Sequence, residues 1–495
     1  MATSPSDWDA RGRRFSIDAV RYLPAAILPA IFSLVGASIF TRLFPPSEYG
    51  VFSLIVAFTG PVTMVLTEWV AQPVGRFFAE YERRRRVSEF LDVIVALRFI
   101  VAASIVLSGL LVLACYRAFS GGFPNTLLFL GALAAVFFQS FASIAMPVLN
   151  ARMQIGAYRL ALVATTGLAV AIPLGLIYLL GRDIAWLLWG QAAASALLLP
   201  WLNWQTGIRR FVPRWRGSAR FAHTVRRMWR YGAPMVLWFF AVGLMSAEDR
   251  YIIAAFRGPA EVGIYGVNYG LVAGLGVLLN LPVNLAIGPL LYQAWAHRRW
   301  KDVETALEQM TEMYVIIGVA IIGGTIVVGQ STVNLLLGTG YREGAVILVP
   351  VIVARMLWGV SRIGHKVLEL RERPFQMVRA ALAVSAINIC LDLALVPFFG
   401  YVAAAYTTAF SFLVHVAITW VQARGSLHWE LRLGRFAQYL AMMGLAVGIV
   451  HLGLGLLHTA SALVVVFAGG TLYCLVYGGM LYTLFGQRLR HLVGP

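Results

Sequence analysis

About fourteen runs of roughly twenty mostly apolar residues follow one another along this chain, and each is long enough to cross a bilayer. They lie near 20–42, 50–78, 90–116, 124–149, 158–180, 184–205, 231–256, 262–290, 311–337, 343–365, 376–397, 401–422, 436–457 and 460–485. A chain of 495 residues that is 60% hydrophobic and 13% charged, with mean hydropathy +0.76, carries more apolar surface than soluble cores could hide. The expected fold is therefore an all-α polytopic membrane protein, in which each span satisfies its own backbone hydrogen bonds. The net charge of +18 does not point to nucleic acid, because the bases sit in short stretches between apolar runs rather than on one wet face. Cys115, Cys390 and Cys474 lie in or beside apolar runs without metal or disulfide spacing and are expected to be small packing residues. The first residues, MATSPSDWDARGRRFSID, lack the short apolar region and small-residue cleavage site of a secretory signal.

Orientation follows from arginine. Alternate connections carry RGRR (11–14), ERRRR (82–86), Arg152 with Arg159, a basic stretch over 209–230, HRRWK (297–301), LRER (370–373), Arg424 with Arg432 and Arg435, and QRLR (487–490). The opposite connections carry single bases: Arg42, Arg117, Arg182, Arg257 and Arg342. This bias predicts both termini in the cytoplasm, which an even number of spans allows. The outer loops FPPSE, GGFPN, LGRD and FRGPAE leave no room for an outer domain. Two basic segments, 209–230 and the amphipathic 296–312, read as helices on the cytoplasmic membrane surface.

The longest connection divides two halves that look related. Glu48-Tyr49-Gly50-Val51-Phe52 follows the first span and Glu261-Val262-Gly263-Ile264-Tyr265 follows the seventh, both as E-x-G-[VI]-aromatic. The starts YLPAAILPA (22–30) and YGAPMVLWF (231–239) match as well. Six spans per half would give the copies the same orientation, related by an axis along the membrane normal. The expected organisation is a tail (1–19), an N-lobe of spans 1–6 (20–205), a basic linker (206–230), a C-lobe of spans 7–12 (231–423), two further spans (436–485) and a second tail (486–495).

Ionisable groups inside spans are expensive and normally face the bundle interior. Helical spacing groups Glu68, Gln72 and Arg76 in span 2, Gln139, Ser143, Met146 and Asn150 in span 4, and Arg355, Trp358 and Arg362 in span 10. Span 11 carries Ser385, Asn388 and Asp392, and span 12 carries Thr408, Ser411, His415, Thr419 and Gln422. Two readings stand side by side. Such stripes either line a hydrated cavity between the lobes or join helices by hydrogen bonds. Arg98 and Arg355 lie about ten residues into their spans, too deep to snorkel easily, and either face that cavity or pair with Glu68, Asp92 or Asp392. Arg42 and Arg76, near span ends, are expected to snorkel. In span 7, Glu248, Asp249 and Arg250 are consecutive and so cannot share one face; Asp249 or Arg250 is assigned to the cavity or its outer gate. Prolines within the spans, among them Pro61, Pro73, Pro147, Pro173 and Pro234, favour kinks.

Four stretches carry a family resemblance: LPAIFSLVGASIFTRLFPPSEYGVFSLI (28–55), the segment 231–269 with AEDRYIIAAFRGPAEVGIYGVNY, LLLGTGYREGAVILVPVI (335–352) and VPFFGYVAAAYTTAFSFLV (396–414). The chain resembles the polysaccharide-transporter family of the MOP flippase superfamily over nearly its whole length. The resemblance implies a two-lobed bundle with two extra spans in the bacterial inner membrane. It also implies alternating-access flipping of undecaprenyl-diphosphate-linked oligosaccharide for surface polysaccharide assembly, in contact with membrane lipids and the glycosyltransferases or polymerase of that pathway. For a diphosphate, arginine is the apt side chain, since its planar fork matches phosphate oxygens and keeps its proton. The expected substrate-binding residues are Arg98, Arg250, Arg355, Arg362, Trp358 and His415. Glu68, Asp92, Asp249 and Asp392 are the expected coupling or gating residues, for Na+ or H+, with no other cofactor. No G-x-x-x-x-G-K-[ST] loop, Cys/His metal motif or G-x-S-x-G motif occurs. The competing readings are a cation-coupled exporter of small organic molecules, which calls for an acidic cavity, and a membrane glycosyltransferase or polymerase, which calls for a large catalytic loop.

Overall fold

A computed structural model describes residues 27–120, 125–208, 219–287, 291, 294–295, 297–371, 373–424, 427, 429, 432–455 and 461–493. The tail at 1–19, the linker stretch 209–218 and residues 494–495 lie outside the described residues. Among those described, every regular element is helical. The order is α1 (Ile27–Leu43), α2 (Pro46–Arg83), α3 (Val87–Ser120), α4 (Thr126–Ala151), α5 (Ile155–Leu180), α6 (Ala185–Thr206), α7 (Ala219–Arg257) and α8 (Pro259–Ala286). Then come α9 (Trp300–Leu336), a 3-10 segment (Thr339–Ile347), α10 (Leu348–Leu370), α11 (Pro374–Arg424), α12 (Leu433–Gly455) and α13 (Gly470–Val493), the last entered through a π-helical turn at Val465–Gly469. Eleven of these helical stretches are long and apolar enough to cross a membrane. One of them, α11, reverses at Gly400, and α1 and α8 are apolar helices in addition, which accounts for the spans expected from the sequence.

Two compact units form. Among the described residues, the first-half unit takes those of 27–36 and 51–248, and the second-half unit takes those of 37–50 and 249–493. Helices α1, α2 and α7 each run from one unit into the other. In the first-half unit, Val70, Val74 and Phe78 of α2 pack with Phe90, Ile94 and Leu97 of α3, Ile144 and Val148 of α4, and Met228 of α7. The helices run on through their internal prolines, including Pro61, Pro73, Pro147, Pro173 and Pro234. Pro173 presses on Gly190 of α6, and Pro61 faces Gly243 of α7, so a side chain is missing where each ring comes close.

The second-half unit contains Pro46–Gly50 of the first copy of the repeated motif and all of the second copy, and they touch each other. Each copy opens a helix with proline at the first position, where a missing N–H costs nothing, and places glutamate in the first turn beside the positive helix end. A Cβ on Gly50 would overlap the Pro259 carbonyl, and one on Gly263 would overlap the Pro46 carbonyl. The two glycines are thus backbone-to-backbone contacts, each against the proline of the other copy. The full repeat is P-[SA]-E-x-G-[VI]-[FY], longer by its proline than the sequence comparison recognised.

The segment LLLGTGYREG seats on the α1–α2 turn. Tyr341 Oη donates to Phe44 O at 2.8 Å, and Gly338 N donates to Thr41 Oγ1 at 3.1 Å. Arg42, expected to snorkel, donates to Leu336 O at 2.9 Å and Leu335 O at 2.8 Å, and so caps the negative end of α9. Segment 300–312, expected to lie on the membrane surface, is instead the first part of α9, continuous with the span. Nothing in its sequence breaks the helix, and Val303, Leu307 and Met310 are buried in protein. Its Glu308 and Glu312 pair with Arg432 (2.5 Å), just before α12, and Arg435 (2.8 Å) in its first turn. The three cysteines, expected as packing residues, are exposed on helix surfaces.

Candidate functional site

Helix α11 builds the polar centre of the second-half unit. Gly400 adopts φ +60° and ψ −150°, a conformation essentially reserved for glycine, and folds the helix into two antiparallel arms. Glu261 of the second repeat locks this reversal: its Oε2 accepts from Tyr401 N at 3.0 Å, and its Oε1 accepts from Arg257 Nε at 2.8 Å. The fold brings the two polar stripes of the arms together. Ser385, Asn388 and Asp392 on the first arm and Thr408, Ser411, His415 and Thr419 on the second are all buried. Asn388 Nδ2 donates to Asp392 Oδ2 at 3.2 Å, and Thr407 Oγ1 donates to Asp392 Oδ1. The same hydroxyl lies 3.0 Å from Ala403 O. Thr407 escaped the sequence reading because it falls one position off the stripe defined by Thr408.

Asp249 is buried and accepts from Tyr265 Oη, the aromatic residue that ends the second repeat. Its Oδ1 also accepts from Arg250 N at 3.0 Å. Asp249 and Asp392 are both buried in this unit. Two carboxylates, one of them with a hydroxyl, a carboxamide and a main-chain carbonyl about it, thus lie within its lipid-embedded helices. Hard oxygen donors of this kind suit a monovalent cation or a proton.

A positive cluster stands beside this acidic one. The Arg250 guanidinium lies 5.2 Å from the centre of the Tyr269 ring, and that of Arg355 lies 5.0 Å from the same ring. Both arginines are half-buried, and the negative face of the ring attracts a cation at this distance. Arg355 Nε is buried without a hydrogen-bond partner. Tyr269 was missed by sequence reasoning; its position one turn after Tyr265 was the available signal. Further along α10, Trp358 packs on His415 at 5.3 Å, and His415 meets His365 edge to face at 4.9 Å. Arg362 is exposed on the same helix.

The remaining expected residues belong to the first-half unit. Arg98 is buried, and it donates to Asn203 Oδ1 at 2.8 Å and Phe141 O at 2.9 Å, with Phe141 beneath its guanidinium. It thereby ties α3, α4 and α6 together through neutral acceptors. Asn203 was not singled out in the sequence. Glu68 is half-buried and accepts from Gln72 Nε2 at 2.8 Å. Arg76, one further turn along, lies over the Tyr231 ring at 5.4 Å. Asp92 is half-buried near the start of α3. Gln139 donates to Gln191 of α6 at 3.4 Å. The structure therefore gathers Arg250, Arg355, Asp249 and Asp392 in one unit and places Arg98, Glu68 and Asp92 in the other.

Comparison with known proteins agrees with this architecture. The chain is 22% identical over 411 residues to the probable low-salt glycan biosynthesis flippase Agl15 of Haloferax volcanii, covering 81% of each chain. The lipid II flippase MurJ in an inward closed conformation has the same fold, with TM-score 0.74 at 14% identity, over 96% of this chain and 99% of that one. An inward-facing multidrug-resistance MATE transporter of the MOP superfamily aligns with TM-score 0.63 at 14% identity, over 85% and 98% of the two chains. The sequence profile described as "Polysaccharide biosynthesis protein" matches residues 20–295, more than half of the length, and the chain belongs to that family.

Proposed function

We propose that this protein is a flippase that carries an undecaprenyl-diphosphate-linked oligosaccharide across the bacterial inner membrane, both termini being cytoplasmic. The observation that carries the reading is the convergence of Arg250 and Arg355 on Tyr269 within spanning helices. A diphosphate offers oxygens to both guanidinium forks. The nearby Asp249 and Asp392 supply a site for the driving ion. A cation or proton held there offsets negative charge beside the arginines, so ion and substrate occupancy are linked. The glycan-flippase relative supports the same substrate class. Trp358 and the exposed Arg362 continue along α10 and are proposed to guide the sugar-bearing end. Arg98 contributes by fixing the helices of its own unit. No covalent chemistry on the substrate is needed for this work.

The test is translocation of a fluorescent polyprenyl-diphosphate saccharide in proteoliposomes, read by protection from a membrane-impermeant quencher. The full-length protein should move the lipid, and Arg355→Ala should slow it at least tenfold. Equal rates for the two, or transport of an organic cation in place of the saccharide lipid, would overturn the proposal.

A further inference from the structure

The two arms of α11 meet at Gly400, and Gln376 and Gln422 face each other toward their opposite ends. Between those ends opens a cleft of about 450 Å³, the space of roughly fifteen waters. Arg373, just before α11, and Gln376 and Arg379 in its first turns line one side, and Gln422 faces them from the second arm. Ala383 and Ile418 give it an apolar wall. Both arginines are exposed, and among the described residues neither has a carboxylate partner. Their basic neighbours differ, since Lys366, Arg432 and Arg435 are each paired with a glutamate. Gln422 directs its only close hydrogen bond, at 3.5 Å, from Nε2 to Gln376 O, and its Oε1 is buried without a partner.

These features define a ligand. Two guanidiniums without a carboxylate partner among the described residues ask for an anion with several oxygens. A buried, unmatched carbonyl oxygen asks for a hydroxyl or amine donor next to it. The apolar wall asks for hydrocarbon. The cleft lies where α10 gives way to α11, at the strongly basic loop face, which is headgroup depth. We infer that this cleft binds the phosphate of an anionic membrane lipid whose headgroup carries a hydroxyl, as in a phosphoglycerol. The arginines hold the phosphate, Gln422 accepts from the hydroxyl, and the acyl chains leave along Ile418. The arms so joined are those that carry Asp392 and Thr407, so an occupied cleft braces the ion site from its far end.

The experiment is native mass spectrometry of the full-length protein in detergent, with phosphatidylglycerol, phosphatidic acid, phosphatidylcholine and soluble glycerol 3-phosphate as probes. The protein should retain one phosphatidylglycerol that the other lipids and the soluble anion fail to displace at equal concentration. The double variant Arg373→Gln/Arg379→Gln should weaken it about tenfold or more. Gln422→Leu should erase the preference over phosphatidic acid, while Arg182→Gln on the opposite membrane face should change nothing. Because the arginines are exposed, the double variant keeps its fold, and an unchanged thermal melt will verify this. Undiminished retention by the double variant, or displacement by phosphatidylcholine or glycerol 3-phosphate, overturns the inference. The result is independent of the transport assay, and failure of either leaves the other standing.

Discussion

Arg355 and Arg98 are both mid-span arginines, yet their surroundings give them different work. Arg98 spends its donors on Asn203 and the Phe141 carbonyl inside one helix cluster. Removing it strands the buried Asn203 carbonyl oxygen at about 1–3 kcal/mol. Arg98→Ala should therefore lower the detergent melting temperature, and Asn203→Leu in the same background should recover part of the loss. Arg355 shares the Tyr269 ring with Arg250. Arg355→Lys should preserve insertion and melting but raise the half-saturating concentration of the diphosphate lipid, because a point charge cannot replace a fork. Asp392→Asn should leave the lipid bound and remove any dependence of transport on a Na+ or pH gradient, which a gradient-jump measurement would show. The sequence displayed the depth of both arginines but not this division. Depth is a property of one helix, whereas the acceptors of Arg98 come from α4 and α6, which helical spacing in α3 cannot reveal.

At the scale of elements, one seven-residue motif does several jobs. In PAEVGIY, Pro259 starts α8, Glu261 caps the second arm of α11, Gly263 admits the other repeat, and Tyr265 holds Asp249. Glu261→Gln should weaken the cap and its ion pair with Arg257, and Gly400→Ala should strain the reversal itself. Either change should loosen the arms, seen as faster amide exchange over 396–407 than in the parent. The repetition and the spans were legible from short patterns and apolar runs. The role of 300–312 was not, because an amphipathic helix looks the same whether its apolar face meets lipid or the protein interior. Burial of Val303 and Leu307 decides it. Likewise, the cysteines could not be placed from apolar context, since lipid-facing and protein-facing positions are equally apolar in a span.

For the whole molecule, the arginine asymmetry makes a prediction that the family does not. In a background with Cys115, Cys390 and Cys474 replaced, single cysteines at Arg84 and Arg371 should react with impermeant thiol reagent only from inside the cell, and one at Arg182 only from outside. Reversed labelling would exclude the proposed direction of transport. The two repeats have also diverged in a telling way. Where the second ends in Tyr265, bonded to Asp249, the first ends in Phe52, which has no hydroxyl to offer. A hydroxyl for Asp249 is found in one copy alone, while the backbone contact of Gly50 and Gly263 involves both. A surface that fits its own duplicate needs no second partner to evolve. A half-length ancestor bearing the motif could already have paired with its twin, and fusing the two genes would have turned that homodimer contact into an internal one.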